Sequence, residues 1–320
     1  MARAKPTRPV AAVTGATGFL GRHLVRALHD AGFDVRVLAS RDPVSPLWEG
    51  LTPEVVIGRL ADAGALERLV DGADAVIHAA GLIKARSTAE FFEVNAGGSR
   101  RLAEAARRRA PSAHLLLVSS LAAREPHLSD YAASKAAGEA AAREAFADGR
   151  LTVVRPPAVY GPGDRETLGL FKAAASLPFL PLPGSDRARL ALIHVSDAAA
   201  QIAALAASPT VAGVFALPGA RPEGYGWREV MAAAARAVGR ELPTAPLPAF
   251  AVHGAGALGA VLARLRGEAA IFTPGKAREL LHPDWSVAPH ERAPGASDCI
   301  FDLERGFADA TSWYRSCRWL

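Results

Sequence analysis

The chain has 320 residues, half of them apolar and 22% charged, with a formal net charge of +5. That profile excludes wholesale disorder and leaves room for one large domain or two interleaved ones. The positive balance comes from arginines in alanine-rich stretches, densest at Arg100-Arg101 and Arg107-Arg108-Arg109, without aromatic interleaving or a nucleic-acid motif. A solvated helix face, and no nucleic-acid partner, is expected there.

Met1 to Pro9 is basic and proline-punctuated and reads as a flexible arm rather than a secretory signal. A short apolar strand, Val10 to Val13, follows. Gly15, Gly18 and Gly21 then recur at every third position across Thr17, Phe19 and Leu20, and Leu20, Leu24 and Leu28 open a helical stripe. Glycines let the backbone approach an anion, and the helix amides then face it. This turn is therefore the expected seat of a diphosphate, although a common dinucleotide fingerprint sets its first two glycines closer together.

Strands are predicted at Val35 to Ala39, Glu54 to Ile57, Ala75 to His78, His114 to Val118, Leu151 to Arg155 and Val214 to Leu217. Helices are predicted at Arg22 to Ala31, Ala65 to Val70, Phe91 to Arg109, Tyr131 to Ala147 and Ile193 to Ala207. The alternation predicts an α/β fold, a Rossmann-type doubly wound parallel sheet with a ligand across the strands' carboxyl ends.

The unusual residues cluster just after the strands. Ser40-Arg41, with Arg36 nearby and no acid closing the strand, favours the 2′-phosphate of NADP over NAD. Asp62 is a candidate to border an adenine. Ala79, Ala80 and Gly81 are small enough for a cofactor to lie against, and His78 reads as packed. Ser119-Ser120 precedes Tyr131 and Lys135, which are four apart and share a helix face. A lysine ammonium there would lower the tyrosine pKa and let the phenol exchange a proton during hydride transfer.

Together these stretches resemble the short-chain dehydrogenase/reductase superfamily, in its extended NAD(P)-dependent epimerase/dehydratase branch. The matching pieces are Thr14 to Gly21, His78 to Gly81, Val94-Asn95, Val118 to Ser120, Tyr131 to Lys135, Arg155 to Gly163, Ile193 to Asp197 and the closing Asp302 to Leu320. The resemblance implies Tyr131 as acid/base, Lys135 as its partner and ribose ligand, and Ser120 as the substrate-orienting hydroxyl, with Ser119 as the alternative. It also implies that Asn95 braces the site and that Pro156, Ala158 and Val159 line the nicotinamide. His194 and Asp197 read as structural.

The expected division is a dinucleotide-binding unit over 10–160, completed by about 189–217 and the helix at 301–320. A smaller, mostly helical substrate unit would comprise 161–188 and 218–298, built from loops and short alanine-rich helices. Phe250 to Leu265 is too short and glycine-rich to span a bilayer comfortably. It is expected as a buried helix, although it also suits a place beside an apolar substrate or a membrane surface.

The branch covers both reductases and nucleotide-sugar enzymes. Ala158 stands where sugar-nucleotide members carry Asn, Leu190 where they tend to carry Arg, and the cap over Phe250 to Phe272 is apolar. Arg59, where relatives often carry Asp, is a further departure. The expected activity is thus hydride transfer between NADP and an apolar ketone/alcohol pair, as a reductase or a dehydrogenase. The alternative is a nucleotide-sugar epimerase holding NAD, with Arg187, Arg189, Arg264 and Arg266 as diphosphate ligands. Cys299 and Cys317 lack metal-type spacing; no metal and a cytoplasmic location are expected, with a homodimer left open.

Overall fold

The computed structural model describes residues 8–147, 150–185, 187–208, 210–270, 272–293 and 298–320. Strands and helices alternate as β1 (Val10–Thr14), α1 (Phe19–Asp30), β2 (Asp34–Ala39), β3 (Glu54–Ile57), α2 (Ala63–Val70) and β4 (Ala75–His78). Next come α3 (Thr88–Phe92), α4 (Gly98–Arg109), β5 (His114–Val118), α5 (Asp130–Ala145) and β6 (Arg150–Arg155). The second half holds β7 (Ala158–Tyr160), α6 (Leu168–Ser176), β8 (Leu180–Pro183), β9 (Arg189–Leu190), β10 (Leu192–His194), α7 (Val195–Ala207) and β11 (Gly213–Ala216). Then follow α8 (Trp227–Ala237), β12 (Thr244–Leu247), α9 (Ala249–Arg266), α10 (Pro274–Leu281), β13 (Asp284–Trp285) and α11 (Leu303–Ser316).

Seven strands form one parallel sheet in the order β11-β6-β5-β4-β1-β2-β3. Both faces are covered, so the strands are mostly apolar rather than strictly alternating with polar residues. Successive side chains still part to opposite sides. Leu116 and Val118 of β5 join Leu24, Leu28 and Ile202 under α1 and α7. Leu115 and Leu117 join Leu66, Leu102 and Phe146 under α2, α4 and α5. The order reverses between β1 and β4, which opens the crevice for a ligand. The remaining strands pair off as β10-β7, β12-β8 and β13-β9.

Helix α11 closes the molecule. Asp302 caps it by accepting from Arg305 N, and Phe307 packs edge-on against Tyr160 and Phe171 at 5.1 and 5.0 Å between centroids. Asp197, in the first turn of α7, accepts from the amides of Ile300 and Phe301 and holds the strap that leads into α11.

Several expectations are corrected. The Phe91–Arg109 helix is divided by one wide π-turn over Glu93–Gly97. Ile193 and His194 belong to β10, because they pair with Val159 and Tyr160, and α7 starts only at Val195. The region after residue 218 contains an 18-residue helix, α9, as well as short ones. That helix is not buried: only Val252 and Gly256 are enclosed, while Phe250 and Leu265 are 78% and 79% exposed. Of the N-terminal arm, residues 1–7 lie outside the described residues. Arg8 is tied by its guanidinium to the carbonyls of Gly32 and His29 at 2.9 and 2.6 Å.

His78, His114 and His194 are buried, and desolvation pushes them down to about 3, 4 and 4 from an ordinary 6.5. Below pH 6.5 the unfolded chain therefore binds protons that the fold refuses. Their contribution to stability is complete above that pH and is lost as pH falls toward 4. The urea midpoint is expected to fall between pH 7 and 5, each histidine costing on the order of 1 kcal/mol per pH unit. A midpoint constant over that range would contradict this.

Candidate active site

The turn between β1 and α1 leaves no room for side chains. Gly15 has a left-handed φ of 76°, and a Cβ there would stand 2.5 Å from Ala80 N and 2.6 Å from Ala79 C. A Cβ on Gly21 would meet Gly15 O at 2.0 Å, and Gly18 donates its amide to that same oxygen at 3.0 Å. Gly18 caps α1 without a side chain, which leaves the amides of its first turn available to an anion. Gly15, Thr17, Gly18, Phe19, Leu20 and Gly21 all line a cleft of about 1840 Å³. That volume exceeds the roughly 300–1,000 Å³ of a single small-ligand site, so a dinucleotide and a substrate both have room. The cradle fits the diphosphate of a nicotinamide cofactor.

Ala79 and Gly81 line the same cleft, as do Pro156, Ala158 and Val159 on the far side of the switch point. Ala80 is turned into the contact with Gly15 and is not part of the lining. Asn95, in the π-turn, accepts from Leu82 N at 2.7 Å and donates to Leu82 O and Ser134 Oγ at 3.0 and 2.8 Å. It thereby ties the segment after β4 to α5.

Ser129 caps helix α5, its hydroxyl accepting from Ala132 N. The helix brings Tyr131 and Lys135 to the cleft beside Ser120. The double serine divides the work. Ser119 is buried and donates to Glu139 Oε1 at 2.5 Å, whereas Ser120 accepts from Ala122 N and hydrogen-bonds with Tyr131. Lys135 Nζ donates to Val118 O at 2.8 Å. Desolvation pulls its ammonium down to about 8, against the supporting charge of Glu139.

The expectation that Lys135 lowers the Tyr131 pKa is corrected. Tyr131 is partly open to the cleft, yet desolvation pushes its phenol up to about 12, opposed by the Ser120 hydrogen bond and reinforced by the charge of Glu279. Lys135 donates its ammonium to Val118 O rather than to the phenol. The phenol therefore holds its proton through the neutral range.

Ser40 and Arg41 lie at the exposed carboxyl end of β2, outside the cleft lining. Asp62 also stands outside it and uses Oδ1 to cap α2 at Ala65 N. Arg36 offers nothing to a 2′-phosphate. It is buried, pairs with Glu54 at 2.8 Å and donates to the carbonyls of Leu69 and Asp71 at 3.0 and 2.9 Å. Of the four arginines considered for a diphosphate, Arg264 lines the cleft, while Arg187, Arg189 and Arg266 do not.

Three features go beyond the sequence reading. Glu139, one turn beyond Lys135, is buried and grips Arg155 with bonds of 2.9 and 2.6 Å. The α5 spacing 131, 135, 139 is the signal that could have disclosed it. Glu279 on α10 is also buried, accepts from Ser129 Oγ and pairs with Lys276 at 3.1 Å; no local pattern points to it. Lys84 and Glu166 bridge two cleft segments at 2.7 Å. Leu170, Leu192, Trp227, Met231, Leu247 and Ala260 put apolar surface on the cleft walls, beside charged groups such as Arg165, Glu268 and Arg278.

The sequence profile of the NAD dependent epimerase/dehydratase family matches residues 11–214. The ceramide reductase of Caulobacter vibrioides (strain NA1000 / CB15N) is 50% identical over 317 residues, covering 99% of this chain and 98% of its own. A Stigmatella aurantiaca enzyme, 4-hydroxy-2-methyl-3-oxo-4-farnesyl-3,4-dihydroquinoline-1-oxide ketoreductase, is 32% identical over 169 residues, 48% of this chain and 51% of its own. In fold the chain is similar to the Thermus thermophilus UDP-glucose 4-epimerase in complex with NAD. The TM-score is 0.68 over 96% of this chain and 99% of that one, at 22% identity. The chain belongs to the NAD-dependent epimerase/dehydratase family, the extended branch of the short-chain dehydrogenases/reductases.

Proposed function

We propose that the chain is an NADPH-preferring reductase that converts a ketone on a long-chain, ceramide-type lipid to the alcohol. The observation that carries this is the meeting of Ser120, Tyr131 and Lys135 in a cleft whose lining also includes the apolar side chains of Leu170, Leu192, Trp227 and Met231. The 50% identity to a ceramide reductase supports the substrate class. When bound, the nicotinamide supplies the hydride.

The chain's own groups do the rest. Tyr131 Oη holds the proton destined for the carbonyl oxygen, and its raised pKa suits a donor in the reductive direction. Ser120 Oγ orients the same oxygen. Lys135 keeps its charge through Glu139 and holds the nicotinamide ribose. The amides of Phe19, Leu20 and Gly21 hold the diphosphate, with Asp62 bordering the adenine and Pro156, Ala158 and Val159 against the nicotinamide. Residues drawn from 161–188 and 218–298, among them Leu170, Trp227, Met231 and Ala260, wall the substrate. Arg41 is exposed and, among the described residues, makes no ion pair or hydrogen bond, so it is free to meet a 2′-phosphate. Arg264 in the cleft favours a second reading, a nucleotide-sugar epimerase that retains NAD.

Tyr131→Phe is expected to lower kcat for NADPH-dependent ketone reduction by about 10²–10⁴-fold, with NADPH affinity by fluorescence titration unchanged. Full turnover in that variant would remove Tyr131 from the proton path. Arg41→Ala is expected to weaken NADPH by about tenfold, the worth of one charge-assisted contact, while leaving NADH unaffected. Equal losses for both nucleotides would reject the NADPH preference.

A further inference from the structure

Helix α9 has two apolar faces, and only one of them is used inside the protein. At 100° per residue, Phe250, Leu258, Val261, Leu262 and Leu265 fall in a stripe about 120° wide. They are 78%, 60%, 56%, 43% and 79% exposed. The opposite side is built of small residues. A Cβ on Gly256 would stand 2.8 Å from Thr273 O, and one on Gly259 would stand 2.4 Å from Phe272 O, so this face is seated tightly on the chain leading into α10. Ala260 and Ala263 on that side line the substrate cleft. The helix is thus a thin wall with the cleft behind it and large apolar side chains in front.

Charge decides what covers the front. Arg264, which also borders the cleft, and Arg266 are exposed and flank the stripe on either side at its C-terminal end, and α9 carries no carboxylate. A second copy of this helix offers those arginines no carboxylate of its own beyond Glu268 just past its end, whereas a surface of anionic lipid head groups offers a continuous counter-charge. Arginine stems also lie along an apolar surface while their heads reach the phosphate level. No helix among the described residues is long and apolar enough to cross a membrane, so α9 would lie in the interface.

We propose that the exposed face of α9 docks on the surface of a bilayer containing anionic lipids and brings the cleft to a lipid substrate held there. The inference rests on the lipid-ketone reading above for the identity of the cargo, but not for the docking itself. A long-chain ketone partitions into the bilayer, and a wall shared by cleft and membrane shortens its path through water.

The test is flotation of the purified full chain with phosphatidylcholine vesicles, with and without phosphatidylglycerol, for wild type and the Leu258→Glu/Leu262→Glu double variant. NADPH oxidation with a water-soluble short-chain ketone and sedimentation mass are measured in parallel. Wild type is expected to float with the anionic vesicles and to be released by high salt, and the double variant to float about tenfold less. Both should turn over the soluble ketone within about twofold of each other, since the two leucines are surface residues outside the cleft. No flotation of the wild type, or undiminished flotation of the variant, would overturn the proposal. So would a concentration-dependent dimer that dissociates in the variant without vesicle binding, which would make this face a self-interface. Flotation without reduction of any ketone would leave the docking standing and defeat the reductase reading instead.

Discussion

The contact of Gly15 with the backbone of Ala79 and Ala80 is the constraint that sets the shape of the site. It joins the end of β1 to the end of β4, the two strands between which the sheet order reverses. Because Gly21 must also pass over Gly15 O, α1 can start only where it does, with its first amides toward the cleft. Any side chain at Gly15 would face a positive φ and a clash with main chain that cannot move aside. The crevice, the anion-binding amides and the position of α1 above the sheet therefore follow from one close approach.

A second constraint holds the chemistry in register. Glu139 is buried, and an unpaired carboxylate there would cost several kcal/mol. Arg155 at the end of β6 and Ser119 at the end of β5 satisfy it, so α5 is pinned across two neighbouring strands. Ser119 is consumed by this network and Ser120 is left facing Tyr131. The same carboxylate supports the charge of Lys135 against desolvation. A structural ion pair and the poise of the site are one arrangement here.

Much of this is legible in the sequence because it is punctuated locally. Glycine spacing, runs of valine and leucine, and the Tyr131–Lys135 spacing each disclose an element within a few residues, and they place six of the seven sheet strands in the first 160 residues. What is not legible depends on distant partners. A double serine cannot show which hydroxyl faces in until Glu139 is seen to claim one. Arg36 looks free beside Arg41, but its partners include the carbonyls of Leu69 and Asp71, more than thirty positions away. The apolarity of α9 suggests burial, since hydropathy does not say which side of a helix is packed. Residue size does: glycine and alanine face the protein, and leucine and phenylalanine face out.

Hydride transfer itself is the step to follow. NADPH carrying deuterium at both hydrogens of nicotinamide C4 would be incubated with the chain and a long-chain ketone of the ceramide type, and the product examined by mass spectrometry. One deuterium on the carbinol carbon and one NADP formed per alcohol are expected of a reductase working through Tyr131. A product without deuterium, or turnover of a nucleotide sugar with no net oxidation of the nucleotide, would show that the site does other chemistry.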